Sequence, residues 1–252
     1  MSVWTSWRRA ARRDTTGEAQ ARTMTFRVRR CDPERDRKPR WASYRVQVWP
    51  KMSVLDALFA ILEEQDGTLG FRYSCRAEMC GSCAMVINGR EGLACGTRLD
   101  HFRGKTVTVA PLRSLPVIKD LVTDMQPFFE KWAGVMPYFV SAGATEPAVI
   151  PPGSGRREIV DHQLSCITCG ACVSACPIVA TNPTYLGPAA LNRAYTLVAD
   201  RRDGAGEVRL EAVSGPDGIY CCRTVASCVD VCPMGIEPLF AIQRLRRRAL
   251  AP

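Results

Sequence analysis

Apolar and polar residues alternate from Thr25 onward. Phe26 and Val28 point one way and Arg27 and Arg29 the other, and Tyr44, Val46 and Val48 alternate likewise. A period of two predicts a pair of strands. The period then lengthens. Leu55, Leu58, Phe59 and Leu62 form one helical stripe, with Ser53 before them as an N-cap, Asp56 three residues on, and Gly67 as a stop. Met85-Val86-Ile87 runs into Asn88-Gly89, a hairpin turn signal, and Thr106 to Val109 predicts a closing strand. Strands, a helix, a cysteine-bearing loop and further strands describe a small α+β domain over residues 24–113.

The rest of the chain reads differently. Leu115 to Trp132 predicts a connecting helix interrupted near Pro127, and residues 141–155 form a linker of small residues, Pro and Gly. Pro188 can start a helix carrying Leu191, Ala194, Tyr195 and Val198 on one face, and Glu237 to Leu250 predicts a final helix with a basic end. Residues 114–252 therefore read as a mostly helical domain. Residues 1–23 are polar, Arg-rich and weakly patterned, which predicts a flexible basic arm, with Met24 an alternative start.

Composition narrows the function classes. With 252 residues and 46% hydrophobic positions the chain can bury two modest cores. No run of 18 apolar residues occurs, so no transmembrane helix is expected. The arginines of MSVWTSWRRAARRD lack the apolar stretch of a secretory or twin-arginine signal. The net charge of +9, with Arg8, Arg9, Arg12 and Arg13 near one end and Arg244, Arg246, Arg247 and Arg248 near the other, suits nucleic acid, anionic lipid, an acidic protein or a plain solvated surface. No nucleic-acid-binding motif of the usual kinds accompanies it, so no nucleic acid partner is expected. His101 and His162 are the two histidines, and both read as structural. No acid–base or nucleophile constellation is visible, which leaves no catalytic residue.

The thirteen cysteines carry the chemistry. Their odd total, tight grouping and lack of a signal segment argue for reduced thiols in a reducing cytoplasm rather than disulfides. Cys75, Cys80, Cys83 and Cys95 form C-x4-C-x2-C-x11-C. The first three match the plant-type pattern for a [2Fe–2S] cluster, and Gly81 between them lets backbone amides approach the sulfurs. A structural zinc site is the alternative, although zinc ribbons usually pair two CxxC knuckles. Cys166, Cys169, Cys172 and Cys176 form C-x2-C-x2-C-x3-C followed by Pro177, the bacterial ferredoxin run.

In two-cluster ferredoxins the fourth cysteine of one run serves the other cluster. Cys232, followed by Pro233, then completes a [4Fe–4S] site with Cys166, Cys169 and Cys172. Counting back from Cys232 requires cysteines at positions 222, 225 and 228, but position 225 is Val. Cys222, Cys228 and the borrowed Cys176 are left around an apolar corner, which suits [3Fe–4S]. A [4Fe–4S] cluster with water or another ligand on its fourth iron is the rival. Cys221 breaks the spacing and, like Cys31, reads as a bystander.

Together the segments SCRAEMCGSC, CITCGACVSACP, NPTYLGPAAL and CCRTVASCVDVCPMGIEP, with LPVIKDLVTDM between them, resemble the iron–sulfur subunit of succinate dehydrogenase and fumarate reductase, respiratory complex II. The likeness spans residues 24–250. It implies an N-terminal β-grasp ferredoxin domain followed by an α-helical bacterial-ferredoxin-like domain. It implies a flavoprotein partner with FAD, an integral membrane anchor, and electrons passing through [2Fe–2S], [4Fe–4S] and [3Fe–4S] to quinone. Such a subunit lies peripherally on the cytoplasmic face of the bacterial inner membrane. By the resemblance, Pro177, Arg223, Gln243 and Arg246 stand near the quinone. Ala180, Thr181 and Arg223 replace the tryptophans and histidine of many ubiquinone-linked members, and the NP-x3-GPAA spacing is closer to the fumarate reductase branch. Quinone type and physiological direction stay open, as does the alternative of a soluble ferredoxin-like carrier or a subunit of another flavoprotein complex.

Overall fold

The structure is a computed structural model and describes residues 22–143 and 149–251. Most of the predicted arm therefore lies outside the described residues, as do residues 144–148 of the linker. Strand β1 (Arg22–Arg30) begins inside the predicted arm and pairs antiparallel with β2 (Arg40–Val48). Helix α1 (Val54–Glu64) follows, then β3 (Ala84–Ile87), β4 (Arg90–Leu93) and β5 (Thr106–Ala110). The sheet order is β2-β1-β5-β3-β4, with β1 and β5 parallel. The predicted alternation appears in β1, where Met24, Phe26 and Val28 are buried in one core with Leu55, Leu58 and Ile61 of α1.

Local chemistry sets the boundaries. Ser53 and Asp56 make a reciprocal capping box at the start of α1, and the helix ends at Glu64, short of Gly67. The β3–β4 turn uses Asn88 (φ 49°) and Gly89 (φ 84°), the left-handed pair such a tight turn requires.

The connecting segment departs from its prediction. Leu115 to Trp132 is not one interrupted helix. A hairpin of β6 (Val117–Lys119) and β7 (Val122–Thr123) precedes helix α2 (Gln126–Gly134), which has Pro127 in its first turn. Proline is tolerated there because its missing N–H would have no helical acceptor. At the hairpin turn Asp120 adopts φ 51° and is anchored on four sides. Its N–H donates to Cys31 O (2.6 Å), its carboxylate accepts from Cys31 N (3.0 Å) and Gly70 N (2.9 Å), and Arg30 pairs with it at 2.8 Å.

Beyond residue 149 all the described elements are helical. Short helices α3 (Gly155–Leu164), α4 (Ala171–Ser174), α5 (Pro177–Thr181), α7 (Gly206–Val213) and α8 (Ser227–Asp230) surround α6 (Gly187–Ala199) and α9 (Pro238–Ala249). The predicted apolar face of α6 is buried, with Leu191 and Ala194 fully enclosed. Arg209 of α7 is also fully buried, paired with Asp203. It donates to Met136 O (3.0 Å) and Tyr138 O (2.6 Å), tying the chain after α2 to the helical domain.

Candidate metal centres

Backbone amides turn toward the first set of sulfurs. Residues 75–83 curl so that the N–H groups of Ala77, Met79 and Cys80 lie 3.4, 3.4 and 3.3 Å from Cys75 Sγ, and Cys75 N lies 3.5 Å from Cys80 Sγ. Arg76 (φ 59°) and Glu78 (φ 60°) adopt the left-handed conformation that produces this curl. Amides aimed at sulfur favour the thiolate, and N–H donation from Cys75 with the Ser82 hydroxyl holds the Cys80 thiol down to about 6. Cys83, inside the core, is pushed up to about 12 by burial, and its Sγ lies 3.3 Å from that of Cys95. The Cys95 turn is fixed by α1, whose Leu55 N donates to Ala94 O (2.9 Å) and Val54 N to Thr97 O (2.9 Å).

The helical domain gathers the second and third sets into two groups. Cys166, Cys169, Cys172 and Cys232 line one cavity, and Cys176, Cys222 and Cys228 line another beside it. Burial raises the Cys166 thiol, with the neighbouring Cys232 adding to it, and pushes Cys169 up to about 11. In the third set burial pushes Cys228 up to about 12, helped by Cys176 and Cys222. Such thiols need a strong counter-charge to ionise, which a bound metal would supply. Among the described residues no three His, Cys, Asp or Glu side chains close on one point as ligands of a single ion would.

The two cysteine runs are structural repeats. Thr168 (φ 53°) matches Thr224 (φ 55°), and Gly170 (φ 79°) matches Ala226 (φ 68°). Each pair leads into a one-turn helix, α4 or α8, and then into a Cys-Pro step. In this overlay Val225 stands where Cys169 does, 58% exposed at the rim of the third cavity. Cys222, not Cys221, lines that cavity, while Cys221 Sγ donates to Pro216 O at 2.8 Å.

Contacts between the domains were not legible in the spacing. A Cβ built on Gly81 (φ 72°) would stand 2.8 Å from Cys169 Cβ and 2.9 Å from Ile167 O, so the first and second cysteine loops meet at this glycine. On β4, Arg90 donates to Asp230 O, and the buried Glu91 accepts from Ser174 Oγ at 2.8 Å. Ser174 and Asp230 occupy equivalent places in the two repeats, each two residues past a cysteine. The same hydroxyl accepts from Arg113 N (2.7 Å).

The four residues expected near a quinone are distributed unevenly. Pro177 and Arg223 line the third cavity, and Gln243 is exposed on α9. Arg246 turns inward, its Nε donating to Ile219 O (2.8 Å) and Nη2 to Cys222 O (2.6 Å). Of the histidines, His101 is exposed and His162 Nε2 lies 3.1 Å from Gly235 O.

Known proteins match this arrangement along nearly the whole chain. Residues 25–130 match the family model of a 2Fe-2S iron-sulfur cluster binding domain, and residues 162–236 that of a 4Fe-4S dicluster domain. The succinate dehydrogenase iron-sulfur subunit of Paracoccus denitrificans is 38% identical over 232 residues, covering 91% of this chain and 89% of that protein. The fumarate reductase iron-sulfur subunit of Mycobacterium tuberculosis is also 38% identical, covering 90% and 92%. Among solved structures, a chain of the Mycobacterium smegmatis Sdh1 complex in the apo form superposes with a TM-score of 0.82 at 29% identity, covering 91% of this chain and 96% of that one. With both cluster-binding domains in this order and relatives of this identity over most of its length, the chain belongs to the family of succinate dehydrogenase and fumarate reductase iron–sulfur subunits.

Proposed function

We propose that this chain relays single electrons between the FAD of a flavoprotein subunit and a quinone at an integral membrane anchor. Its ligands are Cys75, Cys80, Cys83 and Cys95 for [2Fe–2S], Cys166, Cys169, Cys172 and Cys232 for [4Fe–4S], and Cys176, Cys222 and Cys228 for [3Fe–4S]. When bound, the clusters supply one-electron carriers whose potentials follow cluster type, hydrogen bonding and exposure. The observation that carries this reading is the repeat overlay, with Val225 in the place of a ligand.

The chain's own residues hold and space the sites. Gly81 lets the first cysteine loop touch the second. Cys176 and Cys232 each belong to one run and serve the other cavity, which keeps the second and third sites side by side. The third cavity opens beside exposed Val225 and Arg223, and we place the quinone end there, with Pro177 and Gln243 nearby. Among the described residues no helix is long and apolar enough to cross a membrane. Attachment through the anchor, at the cytoplasmic face of a bacterial inner membrane, is consistent with that.

The test is purification of the tagged chain from detergent-solubilised membranes. A flavoprotein and an integral membrane subunit are expected to accompany it, with succinate-dependent quinone reduction that Cys228→Ser abolishes. A chain recovered alone from the soluble fraction with its full iron content would support a free ferredoxin-like carrier instead.

A further inference from the structure

We infer that Arg246 is the counter-cation of the third metal site, a positioning residue that sets its reduction potential rather than a quinone ligand. The inference rests on the three-thiol assignment of that site to Cys176, Cys222 and Cys228. Three observations lead to it. The Arg246 guanidinium reaches from α9 to two carbonyls of one short segment, Ile219 O (2.8 Å) and Cys222 O (2.6 Å), the second belonging to a ligand. It is half-buried, and among the described residues no carboxylate pairs with it, unlike Arg209 with Asp203 or Arg248 with Glu207. Cys222, at the end of the segment it grips, lines the third cavity together with Cys176 and Cys228.

A half-buried cation without a carboxylate has lost part of its hydration and interacts strongly with any anion nearby. The cysteinyl cluster is that anion, and it becomes more negative on reduction. A fixed positive charge beside it therefore stabilises the reduced state and raises the potential. The two carbonyls hold the planar fork in place, so the charge cannot swing outward toward the anchor. Lysine keeps the charge but not the paired donors. Arg247, the next residue on α9, is exposed and serves as the control.

The test is an EPR-monitored redox titration of the three-iron signal in the whole purified complex. Arg246→Met is expected to shift the reduction equilibrium about tenfold toward the oxidised form, which for a one-electron couple is 59 mV downward. Arg246→Lys should fall between Met and wild type, and Arg247→Met should match wild type. If Arg246→Met fails to assemble, the Lys variant alone decides, since a lowered midpoint supports the assignment and an unmoved one overturns it. An unchanged midpoint with a raised KM for quinone would assign Arg246 to the quinone instead. A wild-type complex without any three-iron signal would remove the site itself, and with it this role.

Discussion

Gly81 packs so closely against Cys169 that no side chain fits at position 81. A Cβ there would stand 3.0 Å from Cys169 Cα while the backbone holds φ 72°. This contact joins the loop of the first site to the loop of the second. Gly81→Ala should cost about 1–3 kcal/mol for the left-handed backbone alone, with overpacking adding about as much again. Thermal unfolding of the loaded complex should show a lower Tm, and electron transfer between the first two sites should slow. A variant with wild-type Tm and wild-type transfer would mean that the two loops do not meet at position 81.

Val225→Cys should supply the missing fourth thiolate. Its loop already has the backbone of the Cys166–Cys172 half, so little rearrangement is needed. We predict conversion of the third site toward [4Fe–4S], a lower potential and impaired quinone reduction. The oxidised three-iron EPR signal should diminish, and an undiminished signal would count against the ligand assignment. Cys221→Ser, by contrast, should leave iron content unchanged.

Glu91→Ala should loosen the junction between the domains. It leaves the Ser174 hydroxyl without its acceptor and Arg113 without its nearby carboxylate. Buried groups left unpaired cost about 1–3 kcal/mol. The drop in Tm is expected to exceed that of Ser174→Ala, and equal values would show that Glu91 contributes only through that one hydroxyl.

Acid should weaken the end of the sheet near Asp66. The Thr68 hydroxyl (2.5 Å), the Tyr44 hydroxyl (2.7 Å) and Arg30 hold its carboxyl well below the usual carboxylate range. A depressed folded-state pKa means the stabilisation is complete above the unfolded value of about 4 and lost as pH falls below it. Asp66→Asn should lower Tm at neutral pH and flatten its decline in acid. An acid profile parallel to wild type would place the sensitive carboxylate elsewhere.

Much of this was legible in the chain because the decisive signals are local. Cysteine spacing needs only counting, and the Ser53–Asp56 box and the Asn88-Gly89 turn each span a few residues. The β6–β7 hairpin was not legible because it depends on Asp120 meeting Arg30, Cys31 and Gly70, which lie far back in the sequence. Without those partners, the apolar residues from Leu115 to Trp132 fit a helix as well as a hairpin. The role of Gly81 was half visible. Its missing side chain was expected to admit amides to sulfur, whereas the close neighbour is Cys169 in the other domain. Arg246 was expected near the quinone by resemblance, and its grip on Cys222 O was not legible because nothing local points it there.

The most direct measurement is low-temperature EPR of the anaerobically purified complex, first oxidised and then reduced with dithionite. A three-iron signal in the oxidised sample, joined by a [2Fe–2S] signal on reduction, is the predicted result. An oxidised sample with no signal, alongside an intact [2Fe–2S] signal on reduction, would mean the third site holds four irons or none, and would contradict the ligand set of Cys176, Cys222 and Cys228 around Val225.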